Sequence, residues 1–289
     1  MQASILYIIQ KCFAGLSKLS PRAAASTVHW LITNPSLLVR PSHEERDLLA
    51  ANAPIMETAD ALTVMTPSGS VRVYHWTPQT DRPADAPVAI LAHGWGARAA
   101  HMAGFVPSLL NQGYQVAALD LPGHGASARA PLTISTASEV IIDTAGALGG
   151  VNALIGHSFG ASVVLNATQK LNARKIVVLS APKSLEQMYR RIARLLEISR
   201  AAEDELIKRL ELSSDVAMAH LNAELQLVHL NCSCLAIHDE EDFEIPVETS
   251  IARASVQNMT SFITKGHGHR GVLSAPDVMQ AASEFTKAN

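Results

Sequence analysis

From residue 61 onward the chain alternates between short apolar runs and longer stretches of helical period. The runs at 61–65 and 71–76 read as two strands joined by the turn signal Pro67-Ser68-Gly69. Six more follow at 88–92, 115–119, 151–155, 175–179, 234–237 and 261–264. Runs this short, apolar on both faces and rich in Val and Ile, suit strands of a parallel sheet covered by helices. Helices are predicted around 100–112, 136–147, 159–170 and 247–256, with a last one at about 275–287. This alternation predicts an α/β protein with a doubly wound, mostly parallel sheet.

Two segments depart from the alternation. Residues 1–55 are rich in Ala and Leu, read as helical, and are expected to pack on a main domain at 56–289. Residues 183–223 are charged and helix-periodic with no strand, which predicts an insertion of two or three helices after the sixth strand. Leu185, Met188, Ile192, Leu195 and Leu196 share one face there. Leu195, Leu196, Ile198 and Leu206 either pack the insertion or line an apolar acyl or alkyl pocket.

Composition narrows the function classes. The 289 residues, 48% apolar and 17% charged, suffice for a sizeable core. A net charge of −3 gives no reason to expect a nucleic-acid partner. Arg190, Arg191 and Arg194 have acidic neighbours and read as a solvated helix face. The three cysteines are too few for a disulfide framework and suit a reducing compartment. Cys232-Ser233-Cys234 is too short for a zinc knuckle and reads as buried thiols. The apolar run at 5–9 is broken by Lys11, no basic residue precedes it, and no 18-residue apolar stretch exists. A cytoplasmic protein without an integral membrane span is expected.

The candidate chemistry starts at Gly156-His157-Ser158-Phe159-Gly160, which fits G-x-S-x-G between a predicted strand and a predicted helix. A serine on such a tight turn stands clear of the sheet at a helix N-terminus, where backbone N–H groups meet developing negative charge. A serine hydroxyl needs a base with pKa near the working pH, hence a histidine, and the histidine needs a carboxylate. Of twelve histidines, His269 in Gly266-His267-Gly268-His269 follows the last predicted strand, among small residues that let it reach across. His267 is the near alternative. Five acidic residues crowd 239–244, after the strand at 234–237, and spacing alone does not choose among them.

Together these motifs resemble the α/β-hydrolase superfamily over about residues 60–289. In that family the acid loop usually reads H-G-x-x-D-x-x-x-P. His238, Asp242 and Pro246 match it, which selects Asp242, while Asp239 stands where glycine is usual and remains the fallback. The resemblance implies an oxyanion hole from the backbone N–H groups of Trp95, in His93-Gly94-Trp95-Gly96, and Phe159. Asp120-Leu121-Pro122-Gly123-His124-Gly125-Ala126-Ser127 is similar to a D-x-P-G-H-G-x-S segment that is structural in the family. The insertion at 183–223 matches the variable helical cap, and residues 1–55 lie outside the resemblance.

The implied activity is hydrolysis of a carboxylic ester of a small molecule through an acyl-serine, with no cofactor and no metal. Thioesters, amides, lactones and carbon–carbon bonds are alternatives on the same triad. A second class is a non-catalytic ligand-binding member of the fold. A third is a metal site from His238, Asp239, Asp242, His267 and His269, for which no motif of fixed spacing exists.

Overall fold

The computed structural model describes residues 2–35 and 41–287. Residues 36–40, inside the segment expected to be helical, lie outside them. Three helices come first: α1 (Gln2–Leu19), α2 (Pro21–Thr33) and α3 (His43–Glu57). The sequence sets where α2 and α3 begin. The Ala23 N–H donates to Ser20 Oγ with Pro21 in the first turn, and Ser42 and Glu45 close a reciprocal capping box on α3.

Eight strands follow: β1 (Asp60–Thr66), β2 (Gly69–Trp76), β3 (Val88–Ala92), β4 (Gln115–Leu119), β5 (Ala153–His157), β6 (Lys175–Leu179), β7 (Ser233–Asp239) and β8 (Met259–Thr264). They form one sheet in the order β1-β2-β4-β3-β5-β6-β7-β8. The β1–β2 and β2–β4 pairs are antiparallel and all others parallel. The helices between them are α4 (Val106–Asn111), α5 (Ile134–Ala147), α6 (Phe159–Thr168), α7 (Leu185–Leu195), α8 (Arg200–Ser214) and α9 (Ala223–Val228). The single turn α10 (Gly268–Gly271) and α11 (Pro276–Thr286) end the chain.

The central strands are apolar throughout because both faces are covered. Val88, Ile90 and Ala92 of β3 join the core under α5 and α6, while Ala89 and Leu91 join the opposite core with Phe105, Val272 and Val278. From β3 the chain crosses to β4 on one side, whereas β5 lies on its other side. The loops leaving β3 and β5 therefore diverge and open a crevice at the carboxyl ends of the strands. The parallel register sets Ala92 against Gly156, so both loops leave the sheet at one level.

Three expected elements differ. The strand expected at 151–155 is Ala153–His157. Gly156 and His157 look like turn residues in sequence, but pairing with β3 and β6 holds them extended, with His157 opposite Leu179. The helix expected around 100–112 is a 3₁₀ segment, Ala99–Phe105, followed by α4. Pro107 in the first turn of α4 has no N–H to donate backward. The helix expected at 247–256 is two 3₁₀ turns, Val247–Thr249 and Ile251–Arg253. Extended Ser250 between them caps the second turn and bridges to Pro182, three residues beyond β6.

The N-terminal helices pack against both parts of the chain. α2 lies on α8, and α3 lies on the 3₁₀ segment after β3. The Lys11 ammonium of α1 meets Glu197 at 2.7 Å, and Gln10 donates to the Leu195 carbonyl. Of the arginines of α7, Arg194 is exposed as expected, but Arg190 and Arg191 are half-buried and engaged. Arg190 pairs with Glu186, Glu203 and Asp204 at 2.8–2.9 Å, and Arg191 donates to the Phe243 carbonyl. Cys232 and Cys234 are buried free thiols and Cys12 is exposed. Among the described residues no helix is long and apolar enough to cross a membrane.

Candidate active site

Ser158 follows β5 directly, and α6 begins at the next residue. Its backbone sits at φ 54°, ψ −119°, a conformation that L-residues rarely adopt. The glycines on either side are required by close approach. A Cβ on Gly156 would lie 2.4 Å from the Gly160 carbonyl oxygen. One on Gly160 would lie 2.4 Å from the carbonyl oxygens of Ala92 and His93. The turn is thus pressed against the end of β3, and Ser158 faces the loop that leaves it.

Asp242 and His269 reach Ser158 from the other side of β5. Asp242 stands three residues after β7 and His269 five after β8. His269 Nε2 lies 3.0 Å from Ser158 Oγ, and His269 Nδ1 lies 2.7 Å from Asp242 Oδ2. The Glu244 and Ile245 N–H groups donate to Asp242 Oδ1, and His238 Nε2 lies 3.2 Å from Oδ2. Burial alone would raise the pKa of this carboxyl. Hydrogen bonds from His238 and His269 outweigh it and hold Asp242 well below the usual carboxylate range.

Asp239 has a separate task. Its oxygens accept from the N–H groups of Glu241, His267 and Gly268 and from the Thr264 hydroxyl. Four donors on one buried carboxylate offset its desolvation and lower its pKa. It ties the acid loop to the turn that presents His269. His267 points away, with Nε2 3.1 Å from Asp277.

Trp95 and Phe159 both line the crevice, and among the described residues their backbone N–H groups meet no acceptor. The Trp95 indole N–H donates to the Ile32 carbonyl of α2 at 2.8 Å. Two histidines that the sequence left without a role support this loop. His93 Nδ1 donates to the Gly94 carbonyl and its Nε2 accepts from the Leu121 N–H. His124 Nδ1 donates to the Pro122 carbonyl and its Nε2 accepts from the Gly96 N–H. Burial keeps both rings neutral, pushing His124 down to about 4 and His93 well below its usual value. A neutral ring with one donor and one acceptor is what these contacts need. The 120–127 segment is therefore a buttress: Asp120 also accepts from the Ala99 and Ala126 N–H groups.

A family model described as the alpha/beta hydrolase family matches residues 89–226. The chain has the α/β-hydrolase fold, and this match covers 138 of its 289 residues. Solved structures of this fold include the bromoperoxidase from Bacillus anthracis, 17% identical over 79% of this chain and 100% of that one, with a TM-score of 0.59. The carboxylesterase CesB from Bacillus subtilis is 18% identical over 83% of this chain and 96% of its own, with a TM-score of 0.59. Est1E from Butyrivibrio proteoclasticus, with ferulic acid bound, is 18% identical over 78% and 96%, with a TM-score of 0.61. A search of curated protein sequences finds no match.

On this α/β-hydrolase fold a cavity of about 500 Å³ lies in front of Ser158. Its walls come from α2 and α3 as well as from α7. Met188, Ile192 and Leu195 of α7 and Leu196 just after it line the cavity, whereas Ile198 and Leu206 are packed in the core. Arg191 also lines it, contrary to the solvated face expected from its acidic neighbours. The sequence missed His157 altogether. It is buried, and its Nε2 lies 2.8 Å from the His269 carbonyl oxygen. Burial, with the neighbouring His269, depresses its pKa to about 3, so the ring is a neutral donor that holds the His269 backbone. Among the described residues no cluster of three or more His, Cys, Asp or Glu side chains is arranged to hold a metal ion.

Proposed function

We propose that this protein hydrolyses a carboxylic ester of a small molecule through an acyl-Ser158 intermediate. The observation that carries this reading is the continuous line Asp242–His269–Ser158, with contacts of 2.7 and 3.0 Å, at the end of a strained strand-to-helix turn. His269 Nε2 takes the Ser158 proton as Oγ attacks the ester carbonyl, then returns it to the leaving alkoxide. Ionised Asp242 accepts the Nδ1–H, which fixes the tautomer and stabilises the imidazolium. The Trp95 and Phe159 N–H groups receive the oxyanion. Water, activated by the same histidine, then releases the acid.

Helices α7–α9 act as a cap, and the mainly apolar cavity beneath them favours a hydrocarbon acyl or alkyl group. Thioesters and amides demand the same groups, so a substrate panel ranks the three bond types. Ser158→Ala should lower turnover of a short-chain nitrophenyl ester by about 10⁶-fold and abolish labelling by a fluorophosphonate probe. Equal turnover or labelling by the variant would refute the assignment.

A further inference from the structure

Among the described residues, the outer face of α1 is uncovered. The helix precedes residues 89–226, which the family model matches. Its inner side is settled: Phe13 and Leu16 pack against the main core, and Ser17 is buried. Ile8, Cys12, Gly15 and Leu19 are all exposed. Their spacing of four, three and four residues sets them on one stripe along α1, half a turn away from Ser17. Ile8 is 61% and Leu19 88% exposed, and Leu6, Tyr7 and Ile9 around Ile8 are exposed as well. Single exposed apolar side chains are ordinary, but a contiguous run of them marks an interaction surface.

Charge says what the surface meets. Residues 1–43 carry Lys11, Lys18, Arg22 and Arg40 and no Asp or Glu, although the whole chain has a net charge of −3. Lys11 is paired with Glu197, whereas Lys18 and Arg22 are exposed and form no ion pair among the described residues. A second copy of the chain laid face to face on the stripe would set these cations against themselves. A lipid surface with anionic headgroups offers an apolar phase to the stripe and counter-charge to its flank. No helix among the described residues is long and apolar enough to cross a membrane, so α1 would lie in the interface and not span it.

We propose that α1 docks the protein on an anionic lipid surface, with Ile8, Cys12 and Leu19 entering the acyl boundary and Lys18 and Arg22 meeting the headgroups. The docked helix adjoins the cavity. Gln10 of α1 donates to the Leu195 carbonyl, and Leu195 is itself exposed where it lines the cavity. Docking therefore brings the cavity beside the lipid, where amphiphilic esters collect. The proposal uses no residue of the triad and stands without the ester-hydrolase reading.

The test is flotation of the full chain with vesicles of phosphatidylcholine mixed with phosphatidylglycerol, or of phosphatidylcholine alone, at low and high salt. The unaltered protein should float with the anionic vesicles and lose most of that binding on neutral vesicles or at high salt. Ile8→Asp and Leu19→Asp, both at exposed positions, should each weaken binding by about 10-fold or more. Lys18→Gln combined with Arg22→Gln should weaken it by about 10- to 30-fold. Met65→Asp, at an exposed position on the edge strand β1, should bind as the unaltered protein does. A polarity-sensitive fluorophore on Cys12, the one exposed cysteine of the three, should shift to the blue on anionic vesicles. Ile8→Ser and Leu19→Ser serve if an aspartate variant does not fold. No binding to anionic vesicles overturns the proposal. So does binding that neither salt nor the α1 variants change, or that Met65→Asp weakens as much as they do. A chain that dimerises in solution, is split into monomers by Leu19→Asp and ignores vesicles assigns the stripe to a second copy and overturns lipid docking.

Discussion

The buried ring of His157 should make this fold sensitive to mild acid. In the folded chain its pKa is about 3, pushed down by burial and by His269, against about 6.5 in an unfolded chain. As pH falls below about 6.5 the unfolded chain takes up a proton that the folded chain refuses. Stability is therefore greatest above that pH and falls until the folded pKa is reached. Each pH unit in the window costs about 1.4 kcal/mol, so about 2 kcal/mol is lost by pH 5 from this ring alone. That is a large part of a typical stability of about 5–15 kcal/mol. His124 and His93 act in the same direction, so the substitution must isolate His157. His157→Gln is suitable, because its amide still donates toward the His269 carbonyl but does not titrate. Urea unfolding of both proteins at pH 7 and pH 5 reads the difference. The variant should lose about 2 kcal/mol less than the unaltered protein between the two. Parallel losses would refute the argument.

The two aspartates of the acid loop should separate cleanly. Asp242→Asn should lower kcat by about 10⁴-fold with little change in thermal midpoint. Asp239→Asn, which turns an amide toward backbone donors, should lower the midpoint by several degrees; a larger kcat loss there than in Asp242→Asn would exchange their roles. Gly160→Ala places a Cβ against two backbone carbonyls that have little room to retreat. It should cost both stability and rapid fluorophosphonate labelling, and a variant that matches the parent in both would contradict the close packing of β3 on the serine turn.

Much of the fold was legible because its signals are local. The strands Val88–Ala92, Gln115–Leu119 and Lys175–Leu179 coincide with predicted runs, since a strand buried on both faces is apolar throughout its middle. Ser158 stood out because a tight turn tolerates only glycine at fixed offsets, and that constraint is written in neighbouring residues. His157 gave no such signal: its partner is a carbonyl 112 residues away. Ile198 and Leu206 could in sequence either pack the insertion or line a pocket, and tertiary packing places them in the core.

Sequence by itself determined the class of fold, the helix starts set by Ser20 and Ser42, and the short set of residues able to do acyl-transfer chemistry. Those depend on periodicity, caps and residue type, which act over a few positions. Tertiary structure decided which of five acidic residues meets His269, which histidine meets Ser158, and that the N-terminal helices wall the cavity. Each of those depends on where strands far apart in the chain end relative to one another, and strand order and register set that.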